Sequence, residues 1–332
     1  MTFVLRGRWV KRNYGGDFIA DYGPSSIYES PRFPEPTPAF SPQSRDTVRQ
    51  TGVGINYTER WKDHGSLSVG VLRTNYDRQL ATPGVPASSH QTSVTLPTVS
   101  GSVDLAKAAT LYSSYTRGLE DSKTAPAAAT NRGEPPPATP TWQVDGGIRV
   151  TPRPHLVLLV GGFEIHKNYF SLDATDRYTQ IGDITSRGIE SSARWTEIQG
   201  LTVVAGAVWL RPRVQQQIAT LGGTGQVPIG PVPRTININI DYAPHAKSGF
   251  GASARWLSLS SRVETSDDRY SLPPLATLDL GVRYMFKLFD RPSSVRLDVD
   301  NVTNAAGSTL SADYFAQSQL RRNYTVTLAA DL

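Results

Sequence analysis

Cysteine is absent from this chain of 332 residues. That excludes disulfides and thiolate metal sites, and it suits an oxidising compartment, where an unpaired thiol is a liability. Methionine occurs only twice. No apolar run reaches the roughly 18 residues that a membrane-crossing helix needs. The mean hydropathy of -0.33 leaves a transmembrane β-barrel open, because half of each barrel strand is polar. The 34 lysines and arginines are scattered without a basic run, so a net charge of +5 reads as a solvated surface or charged lumen and no nucleic-acid partner is expected. None of His64, His90, His155, His166 and His245 falls in an H-x-x-x-H pair, so no zinc site is expected. No G-x-S-x-G occurs, and Gly222-Gly223-Thr224-Gly225 lacks the lysine and strand-to-helix setting of a phosphate loop. An outer-wall hydrolase would need His166 as base, and no nucleophile accompanies it, so it reads as a surface histidine. No enzyme activity, cofactor or metal is expected. The opening MTFVLRGRWVKR shows neither an apolar h-region nor a small-residue cleavage site. It reads as a mature or partial chain, or as one whose start lies inside a longer frame.

What is present is alternation. In the last segment Tyr324, Val326, Leu328, Ala330 and Leu332 fall on one face, and Asn323, Thr325, Thr327 and Asp331 on the other. Ile236, Ile238, Ile240 and Tyr242 alternate with Asn237, Asn239 and Asp241. Leu280, Val282, Tyr284 and Phe286 alternate with Gly281, Arg283, Met285 and Lys287. Val295, Leu297 and Val299 alternate with Arg296, Asp298 and Asp300. A charged face along a whole strand must see water, which argues against a β-sandwich core. The 14 tyrosines, 10 phenylalanines and 6 tryptophans suit interfacial girdles.

The pattern predicts 14 strands, at 2–12, 46–61, 65–79, 91–105, 108–118, 140–152, 155–169, 184–197, 200–214, 232–243, 248–258, 275–288, 293–302 and 322–332. Short connections, near 62–64, 106–107, 152–154, 199, 244–247 and 290–292, alternate strictly with long ones at 13–45, 80–90, 119–139, 170–183, 215–231, 259–274 and 303–321. That is the periplasmic-turn and extracellular-loop asymmetry of outer-membrane barrels. The expected fold is all-β, an antiparallel transmembrane β-barrel forming a single domain over 1–332, with 1–45 the least regular part. Two proline-rich stretches, PRFPEPTPAFSP at 31–42 and TAPAAATNRGEPPPATP at 124–140, read as stiff surface loops.

Several motifs occur in a consistent order. LYSSYTRGLE carries Tyr112, Tyr115 and Gly118. Gly182 precedes Arg187-Gly188-Ile189-Glu190, and Val232-Pro233-Arg234 opens a later strand. Gly281, Tyr284 and Phe286 lead to Asn301-Val302-Thr303-Asn304 and then to the final aliphatic strand. Together they resemble the C-terminal part of TonB-dependent outer-membrane receptors, and the wording is similar to siderophore-type members. The resemblance implies uptake of a ferric siderophore at the outer membrane of a Gram-negative bacterium, with outer-membrane lipid, the TonB complex and the barrel-assembly machinery as partners. Leu332 stands where the family usually ends in Phe. The family's plug and TonB box find no counterpart here, and 14 strands stand against its 22, so the chain resembles the C-terminal portion of the barrel. Pairing of 2–12 with 322–332 would close the sheet and remove its lipid-exposed edges. Ligand is expected at the loops and inner wall, with Arg132, Tyr169, Tyr178 and Arg187 as candidate contacts for an anionic, partly aromatic chelate. A plugless passive channel or adhesin is the other function open to the sequence.

Overall fold

Alternating apolar and polar residues build one main antiparallel sheet in which each strand pairs with the next strand of that sheet along the chain. The computed structural model describes residues 1–18, 21–24, 26, 28, 32–218, 220, 223, 225–244, 249–310 and 316–330. The sheet opens with β1 (Thr2–Gly15), β2 (Gln43–Trp61), β3 (Gly65–Ala81), β4 (Ser88–Ala106) and β5 (Ala109–Glu120). It continues with β6 (Thr139–Arg153), β7 (Leu156–Leu172), β8 (Tyr178–Trp195), β9 (Leu201–Gln216), β10 (Arg234–Tyr242) and β11 (Phe250–Leu259). A small hairpin, β12 (Arg262–Val263) with β13 (Ser271–Leu272), precedes β14 (Leu275–Leu288) and β15 (Arg291–Asp300). A second, β16 (Ser308–Leu310) with β17 (Ala316–Ser318), precedes β18 (Asn323–Ala330). The main sheet has 14 strands in the order β1 to β11, β14, β15, β18. All fourteen predicted strands are present. The two small hairpins lie inside predicted long loops. Asp331, Leu332, His245, Gly222 and Thr224 lie outside the described residues.

The register assigns the two faces, because directly opposed residues in an antiparallel pair share a side. Val69 faces Tyr57 and Val99, Val99 faces Tyr115, and Tyr115 faces Val144. On the same face Val160 meets Ser191, Ala207 meets Ile236, Ile238 meets Trp256, Leu280 meets Val299 and Val299 meets Tyr324. These apolar side chains are open to the surroundings: Val160 is 51% exposed, Ile189 57% and Val326 70%. Such a belt has no reason to exist in water and suits hydrocarbon. Following the register, all 6 tryptophans stand on this outward face. Trp61 and Trp195 lie beside short turns, and Trp9, Trp142, Trp209 and Trp256 lie toward the opposite, long-loop end. Two aromatic rows bracketing an apolar band form the girdles expected of a barrel wall.

The opposite, inner face is polar. Asn239 faces Arg255 and Asp241 faces Ser253. Gly281 faces Asp298, which in turn faces Thr325. Two motif glycines are explained here. A Cβ on Gly188 would stand 2.4 Å from Cζ of Phe163, whose ring lies over it. A Cβ on Gly281 would stand 2.6 Å from Oδ1 of Asp298 and 2.7 Å from Oγ of Ser253. The Asn301 motif is a corner. Asn301 is 3% exposed, with a left-handed φ of 51°. Its amide donates to the carbonyls of Ala305 at 2.9 Å and Leu320 at 3.0 Å, and its carbonyl accepts from the backbone N–H of Ala305 at 2.9 Å. Asparagine tolerates that conformation and caps the backbone locally.

One expectation is corrected. The predicted loops 80–90 and 170–183 are shortened by strand, about half of the first and most of the second: the ladders run on to Leu80–Ser88 and Leu172–Tyr178, leaving turns at 82–87 and 173–177. Those strands outrun the belt and project beyond it as hairpins, so loop length alone overstated the asymmetry. The closure that would remove the sheet's edges, left open by the sequence, is not formed in this structure. Among the described residues β1 and β18 pair only with β2 and β15, and both are edges of an open sheet.

Candidate functional site

The inner face is best covered where β2 and β3 approach the long-loop end. Inward-facing Asp46, Val48, Thr74, Tyr76, Arg78 and Leu80 are all buried there. A polar sheet face becomes buried only when something lies on it, and here the segment 121–138 does so. Its stem is held by Arg78. The guanidinium donates to Asp46 Oδ1 and Oδ2, each at 3.1 Å. It also reaches Asp121 Oδ1 at 2.9 Å, the carbonyl of Ser122 at 3.0 Å and the Thr124 hydroxyl at 3.2 Å. Arg12 of β1 adds a longer contact to Asp46 at 3.8 Å. A buried guanidinium is tolerable because its fork is filled by two carboxylates and two neutral oxygens. Ala138, at the other end of the segment, packs with Val48 and Tyr76, and its carbonyl accepts from the Thr92 hydroxyl at 3.2 Å.

The middle of the segment is stitched to the β7–β8 hairpin. Asn131 accepts from the backbone N–H of Tyr178 at 2.8 Å and donates to the Tyr178 carbonyl at 3.1 Å. The N–H of Thr130 reaches the Asp176 carbonyl at 2.9 Å. Glu134 is shared by Asn131 at 3.0 Å, Arg177 at 3.4 Å and His90 of β4 at 3.6 Å. The hairpin tip is itself organised by Asp173. The Thr175 hydroxyl foremost, with the N–H groups of Thr175 and Arg177, holds that carboxyl below the usual carboxylate range. The segment therefore forms a fixed shelf joining the β3–β4 and β7–β8 hairpins. A cleft of about 430 Å³ lies between it and the 84–88 turn, with Arg132 in its wall.

Two of the four candidate residues meet at this shelf, Arg132 and Tyr178, while the Tyr178 ring, beside Phe170, lies on the opposite face of the β7–β8 hairpin from Tyr169. Arg132 is exposed on it, Tyr178 is clamped by Asn131, and Tyr169 stands opposite Gly182 on the inward face of β7. Arg187 does not join them. It shares its face with Ile189 and lies opposite Arg211 and Glu164, so it points outward, bonded to Glu164 at 2.9 Å. The period-two reading of β8 already places Arg187 with Ile189. The structure adds the residues that the sequence reading missed, Asp46, Tyr76 and Arg78. No local signal marks them, because their partners Asp121 to Ala138 arrive from more than forty positions away. Farther toward the short turns, the inner wall of β10 to β15 forms a trough of about 410 Å³ lined by Asn239, Asp241, Arg255, Asp279, Arg296 and Asp298. Arg283 reaches Asp241 at 3.5 Å and Arg296 reaches Asp298 at 2.7 Å. Among the described residues no group of three His, Asp or Glu could hold a metal ion.

An apolar outward belt, a charged inner wall and a folded-in loop define the wall of a membrane β-barrel. The family model for the TonB dependent receptor-like β-barrel matches residues 2–302, and the chain belongs to that outer-membrane family. It is 26% identical over 276 residues to the ferrichrome receptor FcuA of Yersinia enterocolitica, covering 79% of this chain and 36% of that protein. Among solved structures it superposes on BauA, the ferric preacinetobactin receptor of Acinetobacter baumannii, with a TM-score of 0.74 at 22% identity, covering 91% of this chain and 45% of that one. It also superposes on the ferric-catecholate import receptor Fiu of E. coli K12, with a TM-score of 0.75 at 12% identity, covering 98% of this chain and 50% of that one. The chain thus spans half or less of the length of these relatives.

Proposed function

We propose that residues 1–332 act as one unit, the wall of an outer-membrane receptor that takes up a ferric siderophore, with the long-loop end outside the cell. The observation that carries this reading is the shelf 121–138, fixed across the inner face, with Arg132 exposed on it and the backbone of Tyr178 held at its edge by Asn131. A ferric chelate is bulky, often anionic and partly aromatic. A cationic and aromatic rim held by hydrogen bonds recognises that chemistry without losing much side-chain freedom. The named ligands of the relatives, ferrichrome and ferric preacinetobactin, are ferric chelates and support the class. Energised release into the cell is assigned to the TonB complex acting on the whole receptor. Insertion is assigned to the barrel-assembly machinery.

Purified protein in detergent, titrated with a ferric catecholate and with ferrichrome while tryptophan fluorescence is read, tests this reading. Saturable quenching by one of them is expected, weakened about tenfold by Arg132→Ala, as loss of one charge-assisted contact implies, and unchanged by Arg187→Ala. No saturable response to either chelate, together with steady conductance in planar bilayers, would establish a passive channel in its place.

A further inference from the structure

On the outward face, just beyond Trp209 toward the long-loop end, three adjacent strands bring four arginines together. Arg187 of β8 stands directly opposite Arg211 of β9. Arg213 follows on the same face of β9, opposite Thr185. Arg234, at the start of β10, stands opposite Trp209. Arg187, Arg211 and Arg234 are exposed and Arg213 is half-buried. Among the described residues a single carboxylate answers them, Glu164 on Arg187, and no acidic side chain pairs with Arg211, Arg213 or Arg234.

Like charges placed directly opposite each other across a β-pair repel. Asp183, diagonal to Arg213 on the same face, is engaged by His166, Gln180 and Gln217. A fold that gathers four guanidinium groups with one paired carboxylate leaves a place for an anion. The position says which kind. Ile189 is the next outward residue below Arg187, and Trp209 the next below Arg211, so the guanidinium groups stand where the apolar belt stops and its aromatic row ends. In a bilayer that level belongs to headgroups. Guanidinium matches phosphate by paired, charge-assisted hydrogen bonds, and the low polarity just below strengthens them. We propose that Arg187, Arg211, Arg213 and Arg234 form an outward-facing site for the phosphates of lipid headgroups in the outer leaflet. This rests on the membrane placement given above, and it is separate from the chelate-binding shelf, which lies on the other face.

The test uses native mass spectrometry of the purified protein in detergent, with a diphosphorylated glycolipid (lipid A), neutral phosphatidylcholine and inorganic phosphate as probes. Wild-type protein should retain lipid A, discriminate against phosphatidylcholine, and release little lipid A to free phosphate. Arg211→Gln/Arg213→Gln/Arg234→Gln should weaken retention about a hundredfold, three headgroup-level charges being lost. The matching triple lysine variant, which keeps the charge, should hold most of it. Heat-modifiable gel mobility checks that each variant is folded. If the triple glutamine variant does not fold, Arg234→Gln alone, at a strand end, should cost about fivefold. Equal retention by folded glutamine variants and wild type would overturn the site, as would equal retention of phosphatidylcholine. Ready displacement by inorganic phosphate would show a soluble-anion site and overturn the lipid assignment. Ferric-chelate binding is measured on the same samples. Lost lipid selectivity with chelate binding intact refutes this site alone, and lost chelate binding with lipid selectivity intact refutes the receptor reading alone.

Discussion

Arg78 donates to both carboxylate oxygens of Asp46, at 3.1 Å each, across two neighbouring strands, and with the rest of its fork grips the stem of a loop that begins at Asp121. The pair is buried, with side-chain exposures of 8% and 4%. It converts a connection between strands into a fixed part of the inner wall.

Arg78→Met should therefore be costly. It leaves Asp46 buried and unpaired and frees Asp121, Ser122 and Thr124. A loss of about 3–5 kcal/mol is expected, as for other broken buried pairs. Denaturant unfolding measures it, and limited proteolysis should show new cleavage between 121 and 138. Arg187→Met, which removes an exposed pair with Glu164, should leave both unchanged. Equal stability and equal protease resistance of the two variants would contradict the lock.

Orientation is tested by labelling. The chain has no cysteine of its own, so single introduced thiols report unambiguously. Ala127→Cys, exposed on the shelf, should react with an impermeant maleimide on intact cells, and Lys107→Cys, exposed in the turn between β4 and β5, should not. Ala127 is preferred to Gly133, whose φ of 75° would strain a side chain. The opposite labelling pattern would invert the membrane placement.

The inside and outside of the sheet are separated by one residue. Val282 faces Leu297 on the outward belt, and Arg283 faces Arg296 inside and reaches Asp241. Val282→Arg should hinder insertion, costing about 2–4 kcal/mol near mid-membrane. Arg283→Val should fold, since its site stays wet. Refolding yields into lipid vesicles give the comparison, and equal yields would refute the face assignment.

Much of this architecture is legible locally. Alternation in the segments around Ile236, Leu280 and Leu297 predicts strands, and the same parity that sets Val282 outward sets Arg283 inward. The motif residues carry local reasons that the structure makes explicit: Gly188 leaves room for Phe163, and Asn301 turns the chain after β15. Arg187 is the candidate that the register sets apart from the others. Its place near the long-loop end suggested ligand contact, although its parity with Ile189 already placed it outward.

Sequence by itself determined the strands, their two faces and their order, because a two-residue period and neighbour-to-neighbour pairing are local properties. Tertiary structure decided what distance along the chain conceals. It lays 121–138 over the inner wall and buries Arg78 against Asp46. It brings Arg187, Arg211 and Arg234 into one patch from three strands, and leaves β1 and β18 as open edges. Those outcomes depend on register and curvature summed over many pairs, and no single segment encodes either quantity.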